Sequence, residues 1–188
     1  VAKRGMDITL AGAGIAVSWP VMAAIAIAIS LEDQDSPFYI QERIGKNGEP
    51  FRLLKFRTMT TREIGKEGPE ITVGVDPRIT KIGKLLRGAR LDELPQLFNV
   101  LQGSMSLVGP RPLPVDETKR FEDLSHRRRL SVKPGLTCLW QISGRNEVKE
   151  FSDWVRLDLE YIDNWSLWLD IKILVRTVPV VFIGTGAR

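Results

Sequence analysis

Cysteine and histidine are nearly absent from this sequence of 188 residues, which contains one of each. A single cysteine excludes a disulfide within the chain, and one histidine with one cysteine gives little support to a zinc site or a Ser-His-Asp triad. Apolar residues at 43% and charged residues at 27% exclude a disordered chain and a polytopic membrane protein. Any chemistry must therefore depend on carboxylates, lysine, arginine, hydroxyl groups or a hard metal ion.

The excess of positive charge is small overall and is concentrated in one segment. The net charge is +4, yet residues 76–133 hold twelve Lys and Arg against seven Asp and Glu, a local excess of +5. Such an excess indicates an anionic partner, a class that includes phosphate esters, an anionic membrane surface and nucleic acid. An ordinary solvated basic surface explains the same charge equally well.

One long apolar run stands near the N-terminus. Residues 8–31 contain 24 positions without a charge, and a straight helix of that length measures ~36 Å against a hydrocarbon core of ~30 Å. A spanning helix, a re-entrant helix and a signal peptide all fit this run. Pro20, preceded by Ser18 and Trp19, removes a backbone donor near the centre of the run. A kink at these three residues would allow the chain to return to the same side of the membrane, whereas the length of the run favours a helix that spans it.

A β-hairpin is predicted after the apolar run. Residues 38–44 and 51–59 are rich in β-forming types, and an Asn-Gly pair at 47–48 supplies the positive φ of a tight turn. Near the C-terminus, residues 151–163 and 167–182 are predicted to be helices, and the proline in the second is expected to kink or break its end. The chain is therefore predicted to fold as an α+β protein.

Two further helices are predicted in the basic segment. Asp76 fits the N-cap of the first and Pro77 its first position. This helix is amphipathic, which suits both an anionic membrane surface and an ordinary protein surface. Asp92 fits the N-cap of the second helix, and Gly103 fits its C-terminal stop. Asp92 and Glu93 would then lie at a helix N-terminus, where free backbone N–H groups stabilise anions. A purely structural role as the N-cap explains the presence of Asp92 at this position equally well.

Three cationic side chains are candidates for binding phosphate. Lys55 and Arg57 share one face if their segment is a strand, because alternate residues of a strand point the same way. Arg111 lies between two prolines, so its backbone is restricted and its guanidinium is presented at a low cost in entropy. An ordinary solvent-exposed face remains the alternative for all three. A non-catalytic protein that binds anionic lipid or nucleic acid at a membrane surface explains the charge and the apolar run, but not an Asp-Glu pair at a helix start.

Several segments of the chain, taken in order, resemble one known family. The resemblance is to the monotopic phosphoglycosyl transferases of the bacterial sugar transferase family, and any one of the segments would be a weak signal by itself. They comprise residues 4–7, 54–59, 91–100, 106–112, 133–137, 144–146 and 158–173. Similar proteins often carry Ser-Pro at the membrane break, whereas this chain has Trp19-Pro20 with Ser18 one position earlier.

The resemblance implies a reaction and a set of site residues. A sugar 1-phosphate passes from a UDP-sugar to polyprenyl phosphate, usually undecaprenyl phosphate, and UMP is released. Asp92 is implied to be the nucleophile that forms a covalent aspartyl phosphosugar, with Glu93 beside it. Both carboxylates are expected at the Mg²⁺ cofactor, and Arg90 and Arg145 join the three cations above as candidates for substrate binding. A phosphohydrolase, in which water replaces the lipid acceptor, is a second enzyme that fits.

The resemblance also implies an architecture and a location. Residues 1–35 are expected to form a re-entrant membrane helix, and residues 36–188 a small cytoplasmic catalytic domain of amphipathic helices and a β-hairpin. The protein would sit on the cytoplasmic leaflet of the bacterial inner membrane, with no nucleic-acid partner, and it could act as a homodimer. At 188 residues the sequence is expected to lack the extra multi-helix N-terminal domain of some larger relatives.

Overall fold

Helices dominate the chain, with short strands between them. The computed structural model describes residues 1–60, 76, 78–115, 127–142 and 151–183. The helices are α1 (Ala2–Asp33), α2 (Lys81–Ala89), α3 (Gln96–Gln102), α4 (Leu139–Ile142), α5 (Phe151–Asp163) and α6 (Leu167–Ile183). The strands are β1 (Phe38–Ile44), β2 (Pro50–Phe56), β3 (Ser106–Val108), β4 (Leu113–Pro114) and β5 (Gly135–Thr137). This mixture of helix and sheet agrees with the predicted α+β class.

Helix α1 contains the whole apolar run and is long and apolar enough to cross a membrane. The helix continues through Pro20, and so through the break predicted at Ser18, Trp19 and Pro20. The Ser18 hydroxyl does bind backbone, because it donates to the carbonyl of Gly14 at 2.7 Å. That carbonyl is not the one Pro20 leaves without its usual donor, which belongs to Ala16.

One face of α1 packs against the rest of the protein along most of its length. Ala11 belongs to a first hydrophobic core with residues of β2, α3, β3, α5 and α6. Met22, Ile25 and Ile29 form a second core with residues of β2 and α2. The opposite face is apolar and exposed, as Val17 shows with 81% of its surface accessible. The division of the chain at residue 35 stays a prediction, since α1 contributes to both cores.

Polar side chains fasten the first two turns of α1 to strand β3 and helix α6. The buried carboxylate of Asp7 accepts hydrogen bonds from the Ser106 hydroxyl and the Leu107 N–H, both at 3.0 Å. The Lys3 ammonium lies 2.5 Å from the carboxylate of Asp170, which is fully buried. Buried polar groups need such partners, so these contacts fix the start of α1 against the domain.

Polar side chains also fasten the other end of α1. The Glu32 carboxylate accepts from the backbone N–H of Lys81 at 3.0 Å, at the first residue of α2. Asp35, two residues after α1, forms an ion pair with Arg57 just beyond β2. The two ends of α1 therefore contact the same folded unit.

The predicted hairpin is confirmed. Strands β1 and β2 pair antiparallel from Phe38 opposite Phe56 to Ile44 opposite Pro50. The turn between them holds Asn47 at φ 60° and Gly48 at φ 83°, the left-handed conformations that this pair of residues tolerates. Strand β4 pairs with the other edge of β1, and β3 pairs in parallel with β5 in a separate two-stranded sheet.

The helix predicted to have Asp76 as its N-cap starts four residues later, so that prediction is wrong. The N-cap of α2 is Thr80, whose hydroxyl accepts from the Gly83 N–H at 2.9 Å. Backbone hydrogen bonds join Thr80 to Thr58 and Arg78 to Thr60, and this pairing holds residues 78–80 extended. Pro77, the predicted first residue of the helix, lies outside the described residues.

The prediction that Asp92 caps a long helix is also wrong. Asp92 lies inside a 3₁₀ turn, Leu91–Glu93, and α3 begins only at Gln96. Pro95 has no N–H with which to bind the carbonyl of Leu91, and the Leu94 N–H binds that carbonyl at 3.2 Å instead. The helix stops where predicted, at Gly103 with φ 93°.

The last two predicted helices are confirmed as α5 and α6. The expected break at Pro179 is absent, because α6 continues through it to Ile183. Pro179 has no N–H for the carbonyl of Val175, so α6 continues with one backbone hydrogen bond fewer at this point. Tyr161 of α5 and Asp170 of α6 are both buried, and the Tyr161 hydroxyl donates to the Asp170 carboxylate at 2.7 Å.

Candidate active site

Three separate segments bring charged groups together at one carboxylate oxygen. The Oε1 atom of Glu93 lies 3.4 Å from the Lys55 ammonium and 3.2 Å from the Arg111 guanidinium. Lys55 comes from β2, Glu93 from the turn before α3, and Arg111 from the loop after β3. All three side chains are partly exposed, with 17% of Lys55, 17% of Glu93 and 32% of Arg111 accessible. The site is therefore open to a polar substrate.

The loop that carries Arg111 is held by close backbone packing. The Gly109 N–H donates to the Thr137 carbonyl at 3.0 Å, and the Gly135 N–H donates to the Pro110 carbonyl at 2.9 Å. A Cβ atom on Gly109 would lie 2.5 Å from the carbonyl oxygen of Lys133, so only glycine fits there. These bonds hold the backbone at residues 109–110, directly before Arg111, against β5.

Asp92 lies beside this cluster and is left available for chemistry. The carboxylate is half-buried, and none of the ion pairs among the described residues includes it. Burial raises the pKa of Asp92, and the neighbouring charge of Glu93 raises it further, while Lys55 and Arg87 oppose the rise. A carboxylate with a raised pKa is more basic, and therefore a stronger nucleophile, than one stabilised by a helix N-terminus.

The other predicted substrate-binding residues do not all reach this cluster. Arg57 pairs with Asp35 at the end of α1, so it has a different acidic partner from Lys55. Arg90 ends α2 in the left-handed conformation at φ 55° and turns the chain into the segment of Asp92. Its Nη2 atom is buried and makes no hydrogen bond among the described residues. Arg145 lies outside the described residues.

Two residues near the site were not singled out from the sequence. Arg87 of α2 lies close enough to Asp92 to lower its pKa, and its Nε atom donates to the Thr58 hydroxyl at 3.0 Å. Asn99 of α3 is buried and binds the backbone of β2 next to Lys55. In the sequence Arg87 is one of several cations between residues 81 and 90, and a single asparagine in a helix gives no signal of a role at the site.

The donor set of the site is compatible with Mg²⁺ only if the substrate contributes ligands. No group of three or more His, Cys, Asp and Glu side chains stands together within the described ranges. Two neighbouring carboxylates, Asp92 and Glu93, are present at the site. Mg²⁺ commonly binds one or two carboxylates, completes its shell with phosphate oxygens and water, and so fits these residues together with a diphosphate substrate.

Known proteins resemble this chain over its full length. The family model for "Bacterial sugar transferase" matches residues 1–184. The galactosyl transferase CpsE of Streptococcus agalactiae is 45% identical over 198 residues, which cover 100% of this chain and 44% of CpsE. The exopolysaccharide production protein ExoY of Rhizobium meliloti is 39% identical, with 100% of this chain and 88% of ExoY covered.

A third relative is named for a specific reaction. The UDP-glucose:undecaprenyl-phosphate glucose-1-phosphate transferase of Caulobacter vibrioides is 42% identical over 191 residues, which cover 98% of this chain and 71% of that protein. This chain thus spans less than half of CpsE but most of ExoY. The match of the family model over nearly every residue, together with this ordered similarity, shows that the chain belongs to the bacterial sugar transferase family.

Proposed function

We propose that this protein transfers a sugar 1-phosphate from a UDP-sugar to undecaprenyl phosphate at a membrane surface. The observation that carries the proposal is the unpaired Asp92 carboxylate beside Glu93, which is in turn bound to Lys55 and Arg111. An anionic nucleophile next to two fixed cations suits attack on a phosphate ester, because the cations offset the charge that a diphosphate brings. The product would begin the assembly of a surface glycan or exopolysaccharide.

The first half of the proposed reaction forms a covalent intermediate. A carboxylate oxygen of Asp92 attacks the phosphorus that carries the sugar and forms a new O–P bond. The bond from that phosphorus to the bridging oxygen breaks, and the electron pair leaves with UMP. Lys55 and Arg111, which both contact Glu93, would bind the diphosphate oxygens and stabilise negative charge on the phosphorus centre and on the leaving group.

The second half regenerates the carboxylate. A phosphate oxygen of undecaprenyl phosphate attacks the same phosphorus, the Asp92 O–P bond breaks, and undecaprenyl diphosphate sugar is released. Splitting one transfer into two displacements requires a nucleophile that is also a leaving group, and a carboxylate is both. The expected kinetics are ping-pong, with UMP released before the lipid reacts.

Asp92 and Glu93 would hold Mg²⁺ together with oxygens of the diphosphate. When bound, the ion supplies Lewis-acid stabilisation of phosphoryl charge. The contacts of Glu93 with Lys55 and Arg111 fix this carboxylate in place before substrate arrives, and a fixed ligand costs less entropy on binding.

The packing of α1 supports a monotopic arrangement, in which both ends of the helix lie on one side of the membrane. From the family resemblance we propose that this is the cytoplasmic side. A helix that crosses a bilayer places its ends ~30 Å apart on opposite sides. In this protein Lys3 contacts Asp170 at one end and Glu32 contacts Lys81 at the other, so both ends belong to one folded unit. We propose that α1 enters the bilayer from one face and returns to it, with a bend at Pro20 near the middle of the helix.

The names of the relatives support the chemistry without fixing the sugar. The relatives from Caulobacter vibrioides and Escherichia coli are named for glucose 1-phosphate transfer from UDP-glucose. The relative CpsE from Streptococcus agalactiae is named as a galactosyl transferase. No residue described above distinguishes the two sugars.

The function is tested by UMP release from UDP-glucose, UDP-galactose and other UDP-sugars, with protein in nanodiscs, Mg²⁺ and undecaprenyl phosphate. The expected result is UMP formation that consumes lipid phosphate one for one and yields a lipid diphosphate sugar. Turnover that continues without lipid and yields free sugar phosphate would instead identify a phosphohydrolase. Binding to anionic vesicles without turnover of any UDP-sugar would contradict the proposed enzymatic activity and favour a non-catalytic lipid-binding protein.

The proposed topology is tested by placing single cysteines before and after α1 in a Cys138→Ser background. Labelling by a membrane-impermeant maleimide in right-side-out and inverted vesicles reports the side of each cysteine. Both positions should react from the cytoplasmic side, and opposite sides would reject the re-entrant arrangement.

A further inference from the structure

The side chain of Asn99 joins the two halves of the candidate active site. Asn99 lies on α3 with 4% of its surface exposed. Its carbonyl oxygen accepts from the Leu54 N–H at 3.0 Å, and its amide nitrogen donates to the Arg52 carbonyl at 2.7 Å. These two groups lie on the edge of β2 that does not face β1, so the amide side chain replaces the backbone of a neighbouring strand.

The two elements that Asn99 joins, β2 and α3, lie next to Lys55 and Glu93, two of the three charged residues of the candidate active site. Lys55 follows Leu54 in β2, and its ammonium lies 3.4 Å from Glu93. Glu93 comes six residues before Asn99 in a continuous run of turn and helix. The amide therefore fixes β2 and α3 relative to each other close to the Lys55–Glu93 contact. Loss of the amide would leave two backbone groups of β2 without these partners and let Lys55 move away from Glu93.

We propose that Asn99 is a positioning residue, which holds β2 against α3 so that Lys55 reaches Glu93 and the phosphate of the donor. This inference rests on the proposed function, because it assigns Lys55 to substrate phosphate. Asn99 itself touches neither the substrate nor the reacting atoms, and it acts through Lys55. A displacement of ~1 Å at such a group is enough to reduce a rate on the order of 100-fold.

A double-mutant cycle on kcat/KM for UMP release tests whether Asn99 acts through Lys55. The four proteins are the wild type, Asn99→Ala, Lys55→Met and the combination of both changes. Asn99→Ala should lower kcat/KM on the order of 100-fold in the wild type and by less than about threefold in Lys55→Met, because the group it positions is already gone. Equal losses in the two backgrounds would overturn the proposal, since a purely structural defect acts independently of Lys55.

An exposed asparagine provides the matched control. Asn164 donates to the Glu160 carbonyl at 2.9 Å, so it also binds backbone but lies at the protein surface outside the site. Asn164→Ala should change kcat/KM by less than about twofold in both backgrounds. If Asn99→Ala does not fold, Asn99→Ser, which retains a smaller hydrogen-bonding group, replaces it in the same cycle.

A second measurement needs no catalytic activity. The Asn99 carbonyl oxygen accepts from the Leu54 N–H at 3.0 Å, next to Lys55. Removal of the amide should speed hydrogen exchange at Leu54 and increase the acylation of Lys55 at one fixed pH, both read by peptide mass spectrometry, whereas Asn164→Ala should change neither. Unchanged acylation of Lys55 in Asn99→Ala would overturn the proposal. Absence of UMP release by the wild type would count against the proposed function and leave this measurement of Asn99 valid.

Discussion

Replacement of Lys3 by methionine is predicted to destabilise the protein strongly, although Lys3 stands at the third position of the chain. The Lys3 ammonium lies 2.5 Å from Asp170, 3.0 Å from the Val108 carbonyl and 3.3 Å from the Tyr161 hydroxyl. Asp170 is fully buried, whereas 26% of the Lys3 side chain is exposed. The change removes the cation and leaves the buried carboxylate behind.

The size of the effect follows from what remains around Asp170. Removing one partner of a buried ion pair costs about 3–5 kcal/mol, because the other charge loses its compensation. Tyr161 and Trp165 still donate to Asp170, at 2.7 and 3.2 Å, and the partial exposure of Lys3 also reduces the cost. We therefore expect Lys3→Met to lower the free energy of unfolding by about 3 kcal/mol, the lower end of this range. For a protein of this size that lowers the unfolding midpoint by roughly 6–12 °C.

Thermal unfolding in nanodiscs, followed by tryptophan fluorescence, measures this midpoint. Arg128→Met is the matched control, because Arg128 pairs with Asp163 at the surface, where 54% and 46% of the two side chains are exposed. A surface pair contributes about 0–1 kcal/mol, so the control should shift the midpoint by less than about 4 °C. Lys3→Arg, which keeps the charge, should recover most of the loss. Equal shifts for Lys3→Met and Arg128→Met would refute the assignment of a buried ion pair at the start of α1.

Three further predictions concern the candidate active site. Glu93→Gln should lower kcat/KM by about 10²–10³-fold and weaken the Mg²⁺ dependence of UMP release, and an unchanged metal titration would reject its role as a ligand. Because burial raises the pKa of Asp92, adduct formation should begin to fall with decreasing pH at a higher pH than for an ordinary carboxylate. The lowered pKa of Lys55 should bring the alkaline decline below pH 10.5, and a rate independent of pH on both sides would contradict these assignments. Arg111→Met should lower kcat/KM more than Arg57→Met, because only Arg111 contacts Glu93, and the reverse order in UMP-release kinetics would place the substrate near Arg57.

The raised pKa of Asp92 also has a consequence for stability. A carboxyl group whose pKa is higher in the folded protein binds its proton more tightly there than in the unfolded chain. Its contribution therefore favours folding at low pH and is lost as pH rises through the folded pKa. The nucleophile is thus held in place at a cost in stability near neutral pH, as is common at functional sites.

The sequence predicted correctly those features that depend on neighbouring residues of the chain. The Asn-Gly pair at 47–48 predicted the hairpin because few residues accept positive φ at both positions. Gly103 predicted the end of α3 for the same reason. Helix α5 was predicted with its observed bounds, since its apolar residues recur with the period of a helix.

Features that depend on contacts between residues far apart in the sequence were predicted wrongly or were not predicted. Asp76 and Thr80 are both good N-caps, and only the pairing of residues 78–80 with 58–60 selects Thr80. The Lys3–Asp170 pair joins residues 167 positions apart, and no spacing rule predicts such a contact. Lys55 and Arg111 were predicted separately as candidates for phosphate binding, but their contacts with one oxygen of Glu93 became visible only in the fold.

The central claim is that Asp92 becomes covalently linked to a phosphosugar, and intact-protein mass spectrometry tests it most directly. Protein incubated with UDP-glucose or UDP-galactose and Mg²⁺, without lipid, should gain the mass of one sugar phosphate, and peptide mapping should place that mass on Asp92. Addition of undecaprenyl phosphate should remove it, and Asp92→Asn should never acquire it. Normal formation of lipid product by the Asp92→Asn protein would contradict the account.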